Sequence, residues 1–157
     1  MTTLPVNRDA LAAFLFDAKR ATSDENNEHE YAGSSGMRQV EYRDGDLIYR
    51  DRSYGFTFFS GDAAVYYKDT LLWQMTYSGG VLDEFADTPA LHRFLREALF
   101  NVSADRPFRG PDSFERGACL YSDTTTGDVG GFYGVETVQL AGRRIYELRY
   151  HGGLIQN

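Results

Sequence analysis

The chain has 157 residues, a formal charge of −7 and a pI near 4.9. This balance excludes a sequence-independent grip on DNA or RNA, which needs clustered Lys and Arg, and attachment to anionic membranes. The length fits one domain, residues 1–157, with a real core, and no apolar run reaches the ~20 residues of a membrane span.

Cys119 is the single cysteine and cannot form an internal disulfide. The opening MTTLPVNRDALAAF lacks the basic-then-apolar order of a secretory signal. Both features indicate a cytoplasmic protein. The cations are 14 Arg and 2 Lys. Coding bias accounts for such a skew, but arginine is also the better planar fork for carboxylate or phosphate.

In chain order, Asn7 predicts an N-cap for a helix over 8–21, with Leu11, Phe14, Leu15 and Ala18 on its apolar face. Residues 22–37 are acidic, aperiodic and rich in Ser, Asn and Gly, which predicts a solvated, mobile loop. His29 with Glu28 and Glu30 has metal-ligand chemistry, but adjacent residues on a loop rarely build a defined site, so no metal is expected.

Residues 41–80 carry ten of the 23 aromatic residues and read as a strand meander. A two-residue Asp44-Gly45 turn would pair Arg43 with Asp46, Tyr42 with Leu47, Val40 with Tyr49 and Arg38 with Asp51. The second face then carries Glu41, Ile48 and Arg50. A Gly61-Asp62 turn would set Phe58 against Val65 and Phe56 against Tyr67. An Asp69-Thr70 turn would set Tyr66 against Trp73 and Tyr67 against Leu72; Thr70 suits a positive φ poorly, which favours a longer turn.

Thr88 as N-cap and Pro89 in the first helical position predict a second helix over 88–102. Its stripe is Leu91, Phe94, Leu95, Ala98, Leu99 and Val102, with His92 turned to solvent. The loop DRPFRGPDSFER is stiffened by Pro107, Gly110 and Pro111 and holds Arg106, Phe108 and Arg109 in fixed directions. It suits either anion binding or plain packing of Phe108 and Phe114. A strand near 118–124, a Gly127-Asp128 turn and a hairpin about Ala141-Gly142 follow. Alternation there puts Tyr146, Leu148 and Tyr150 on one face with Val135 and Tyr133, and Ile145, Glu147, Arg149 and His151 on the other with Glu136 and Val138. The fold class is α+β: a largely antiparallel, curved sheet of about seven or eight strands with two helices on one face.

The pieces AKRAT, YAG, EYRDGDLIYRD, VYYKDTLLWQMTYSGG, FLREAL, RPFRGP and IYELRYHGGLI, in this order, resemble a bacterial and archaeal family known as domain of unknown function 5680. The likeness runs from about residue 11 onward. It implies a small intracellular domain that in some relatives follows a Cro/C1-type helix-turn-helix, and it brings no catalytic residues. Residues 23–30 stand as an insertion between AKRAT and YAG. With so few residues ahead of the first helix, a DNA-binding domain there is not expected.

Three functional readings follow. The first is a non-enzymatic ligand-binding or regulatory module without a cofactor. Trp73, Tyr66, Tyr77 and Tyr150 would be its pocket walls, and Arg109 or Arg149 would meet an anionic small molecule. Aromatic strand residues more often belong to the core. The second is a metal-free acid–base enzyme using His151 and Glu147, with Glu136 as a further carboxylate and Gly152-Gly153 shaping a cleft rim. The simpler account of that set is a solvent-facing Arg–Glu ladder. The third is a protein-interaction module that uses the acidic loop or a sheet edge.

Overall fold

A computed structural model describes residues 3–24, 30–32 and 36–157. Helix α1 (Arg8–Ser23) begins at the predicted cap, where the Asn7 side chain accepts the Ala10 N–H at 2.8 Å. Leu11, Phe14, Leu15 and Ala18 are buried, as their spacing requires. Helix α2 (Thr88–Phe100) is capped one residue earlier than expected, by Asp87, whose carboxylate accepts the Ala90 N–H at 3.0 Å. The helix stops at Phe100, and Val102 is buried just beyond it. No helix among the described residues is long and apolar enough to cross a membrane.

Nine strands among the described residues form one curved antiparallel sheet. They are β1 (Glu30–Ala32), β2 (Met37–Asp44), β3 (Leu47–Gly55), β4 (Phe58–Tyr67), β5 (Thr70–Val81), β6 (Ser113–Arg116), β7 (Cys119–Asp128), β8 (Gly131–Leu140) and β9 (Arg143–Leu154). Their spatial order is β1-β2-β3-β4-β5-β9-β8-β7-β6, two meanders joined where β5 meets β9. The α+β class stands, and the short β1 and β6 raise the strand count. The predicted loop over 22–37 is corrected in part: Thr22 and Ser23 are helical and Glu30–Ala32 pair with β2. His29 and Glu28 lie outside the described residues, as does half of that loop.

Four hairpins differ from the sequence reading. The first turn is Gly45-Asp46, so Tyr42 faces Tyr49, Val40 faces Asp51 and Arg38 faces Ser53. The turn moves by one residue and the pairing by two, which leaves each side chain on its expected face. Gly61-Asp62 is not a turn but lies inside β4, and the chain reverses at Phe56-Thr57. Gly61 is there for contact: a Cβ on it would come within 2.5 Å of the Tyr77 hydroxyl, which lies over it from β5. The next turn is Lys68-Asp69, both at positive φ, and a bulge between Val65 and Tyr66 then sets Val65 against Trp73. Strand β7 runs through Gly127 to Asp128, and the chain turns at Val129-Gly130.

The registers lay Arg38, Ser53, Gly61, Tyr77, Tyr150, Gly134 and Thr125 in one row across seven strands. This row lies on the sheet face that buries Val40, Ala63, Val65, Met75 and Leu148 in the same core cluster as the helix residues Leu11, Leu15, Leu91 and Leu95. Gly61 and Gly134 flank the two tyrosines of the row, so each ring lies along the sheet over a neighbouring glycine. The polar groups of this face therefore come to the space under the helices.

Candidate functional site

Two polar clusters stand on the helix-covered face. The deeper one centres on Glu136, which is fully buried. Arg109 from the stiff loop forks its carboxylate with bonds of 3.0 and 2.8 Å. The hydroxyls of Tyr121 and Tyr146 donate to it at 2.6 and 2.8 Å. Burial alone would raise the Glu136 pKa, but the Arg109 charge and these donors outweigh it and hold the carboxyl below its ordinary value. Beside it, the Tyr150 hydroxyl donates to Asp123 at 2.7 Å and Arg106 pairs with Asp123 at 3.1 Å. Burial and the nearby Glu136 charge push the Asp123 carboxyl up to about 6, against the pull of Tyr150 and Arg106. Every charge in this cluster has its partners, so it reads as scaffold.

The second cluster opens to a cavity. The Asp51 carboxylate takes the Tyr77 hydroxyl at 2.5 Å and the Tyr49 hydroxyl at 3.3 Å. The Arg109 guanidinium lies 5.1 Å above the Tyr77 ring, which links the two clusters. Burial, then the Asp51 charge, holds the Tyr77 proton well above its ordinary range. A cavity of about 240 Å³ lies above, between α1, α2 and strands β2–β5, and Lys19, Arg38, Asp51, Ser53, Tyr77 and Arg96 all line it.

Lys19 is the unusual member. It is 4% exposed, and its ammonium makes no hydrogen bond or ion pair among the described residues. Burial, followed by the Arg109 charge, lowers its amine to about 8, against the opposing charges of Asp51 and Glu136. The cavity lining carries Lys19, Arg38, Arg96 and Arg109 with one carboxylate, Asp51; Arg109 is neutralised by Glu136, and Arg38 and Arg96 have interactions of their own. At its mouth His92 is half-buried rather than solvent-facing. Its Nε2 lies 2.7 Å from the Phe56 carbonyl and its ring stacks on Phe56, which ties α2 to the β3–β4 turn.

A wider depression of about 640 Å³ runs along α2 past Phe100 and Phe114. Among its charges, Arg116 pairs with Glu97 at 2.8 Å at the surface.

Of the residues singled out from sequence, Tyr77 and Arg109 line the cavity. Tyr150 shares their face but is engaged at Asp123. Trp73 is 1% exposed and stacks with Phe132 and Phe108, in the core rather than on a pocket wall. Tyr66 lies on the opposite face, under Arg50 at 5.3 Å. Arg149 and His151 are exposed there too, and Glu147 meets Arg149 only at 3.5 Å.

Glu136 does not join Glu147 and His151, contrary to the alternation reading. A bulge between Val138 and Gln139 inserts Ile145 opposite them, so Glu136 pairs with Leu148 and turns inward while its expected partners turn out. Val138 turns inward with it, and Tyr133 is exposed.

The sequence reading missed Lys19, Asp51, Ser53 and Arg38 as a set. A signal was present in the helix. Lys19 follows Leu11 and Leu15 at four-residue steps, so it occupies a position on the buried stripe.

A family model described as "Domain of unknown function (DUF5680)" matches residues 51–155. No curated protein and no solved structure matches the chain.

Proposed function

The chain belongs to the DUF5680 family, whose description carries no activity, and from the chemistry of the cavity we propose that it is a binding module for small anions. The observation that carries this reading is Lys19, a buried ammonium with no counter-charge in hydrogen-bond reach among the described residues. A charge in that position is costly to the fold, whereas buried charges are ordinarily paired. An anionic ligand would supply the missing partner. Arg38 and Arg96 add positive charge at the walls, and Ser53 and Tyr77 add hydroxyls that orient a ligand. The volume of about 240 Å³ suits only a small molecule, since pockets for drug-sized ligands run to roughly 300–1,000 Å³.

The face carrying Glu147, Arg149 and His151 has no comparable burial, so the acid–base alternative draws no support from its geometry. The test is a thermal-shift series with inorganic phosphate and small mono- and dicarboxylates near pH 7. At least one is expected to raise the wild-type Tm in a concentration-dependent way. The shift should vanish in Lys19→Met and weaken in Arg38→Ala. A wild-type Tm unmoved by every anion, or an equal shift in Lys19→Met, would reject the reading.

A further inference from the structure

We propose that Lys19 is a nucleophilic amine and that the cavity's occupant is a small oxo acid, held by its carboxylate and joined to Lys19 as an imine. This rests on the anion-binding reading above and goes further by giving the ligand a carbonyl and the lysine a reaction. The arrangement has the parts that imine formation needs. A lysine becomes a nucleophile near neutral pH when it is desolvated or set beside another cation, and Lys19 has both, being 4% exposed with the Arg109 charge acting on it. Its depressed proton affinity, to about 8, leaves a working fraction of neutral amine under physiological conditions. The amine lines the cavity with no partner among the described residues, so none of them commits its lone pair to the scaffold. Arg38 and Arg96 line the same cavity beside interactions of their own, and their positive charge favours an occupant with a carboxylate next to the carbonyl that meets Lys19.

The proton traffic has a local route. Lys19 Nζ, as the neutral amine, forms a bond to the carbonyl carbon, and the carbonyl oxygen takes up a proton to give a carbinolamine. The C–O bond then breaks and the oxygen leaves as water with a second proton. From the ammonium form the balance is one ammonium plus one carbonyl giving one iminium plus one water, with no oxidant or reductant. Asp51 is the carboxylate that relays these protons. Its bonds from Tyr77 and Tyr49 fix it in place, and its charge acts on Lys19.

The experiment incubates the full chain with pyruvate or glyoxylate near pH 7.5, reduces with sodium borohydride and locates the adduct by peptide mass spectrometry. The chain's other lysine, Lys68, is exposed in the Lys68-Asp69 turn and serves as the internal reference. The expected result is one adduct, formed at Lys19 about tenfold faster than at Lys68, slowed by phosphate, and absent from Lys19→Arg. Phosphate competition on the wild type keeps the test decisive if that variant fails to fold. An anion-induced rise in Tm without a Lys19 adduct, or labelling equal at Lys68, overturns the imine and leaves anion binding intact. No adduct and no Tm response overturns both.

Discussion

Arg109→Met is expected to destabilise the protein by ~3–5 kcal/mol, because it strands the Glu136 carboxylate at full burial with only two tyrosine hydroxyls. That is a large share of the ~5–15 kcal/mol that holds a typical domain together. Glu136→Leu alone should cost a similar amount, since it leaves the Arg109 guanidinium buried beneath the cavity without its fork. The two losses should not add. Removing both charges together, with Tyr121→Phe and Tyr146→Phe to clear the orphaned hydroxyls, replaces a buried polar network by apolar groups of similar shape. Such exchanges run close to neutral. Urea denaturation of the single, double and quadruple variants measures this. A cost below ~1 kcal/mol for Arg109→Met would mean that the cluster is wetter than its burial indicates.

Lys19→Met should behave in the opposite way and stabilise the protein near pH 7. In the unfolded chain the amine keeps its ordinary value of 10.5, whereas in the folded protein it lies at about 8. Folding therefore disfavours the charged form, and below about pH 8 the full cost is present, on the order of 3 kcal/mol. Between the two values the unfolded state binds a proton that the folded state has released, so wild-type stability recovers as pH rises through this window. The variant lacks both the cost and the recovery. Urea midpoints near pH 7 and near about pH 9.5 should thus differ by ~2 kcal/mol more in the wild type than in Lys19→Met. An equal pH response in the two proteins would refute the assignment of a buried, partner-free amine. A side chain that costs stability and gives it back on removal is the pattern expected of a residue that serves binding rather than folding.

Much of the scaffold could be read from the residues. The α1 stripe and its Asn7 cap, the α2 stripe and the face assignments of the first hairpin all followed from periods of 3.6 and 2 and from turn chemistry. The sheet's interior was harder, for a physical reason. Two bulges, one near Leu72 and one near Ile145, add a single residue each and exchange the faces beyond them, and nothing in local alternation marks where a strand takes up that extra residue. The second bulge alone separates Glu136 from His151, and with them the acid–base set that alternation had assembled. Gly61 misled in another way. A Gly-Asp pair is good turn chemistry, and only the long-range approach of Tyr77 shows why a glycine stands inside β4.

The site itself was half legible. Tyr77 and Arg109 were on the page, as was the expectation of an anion. The charged residues of the cavity come from α1, α2, β2 and β3, far apart in sequence, and the parallel between Lys19 and the Leu11–Leu15 stripe acquires meaning only once the helix lies across the cavity from Asp51 and Tyr77. The aromatic richness of the meander turned out to serve two ends. Trp73 joins Phe132 and Phe108 in the core stack, and Tyr49 and Tyr77 hold one carboxylate at the cavity floor.

With two lysines in the chain, ¹³C labelling at lysine Cε gives a spectrum in which the Lys19 resonance can be assigned from the Lys19→Met variant and followed against pH. This resonance is expected to titrate at about 8 in the free protein, and a bound small carboxylate or phosphate is expected to move its midpoint upward, because the anion favours the ammonium form. A Lys19 resonance that titrates in the ordinary lysine range and ignores every anion added would contradict both expectations.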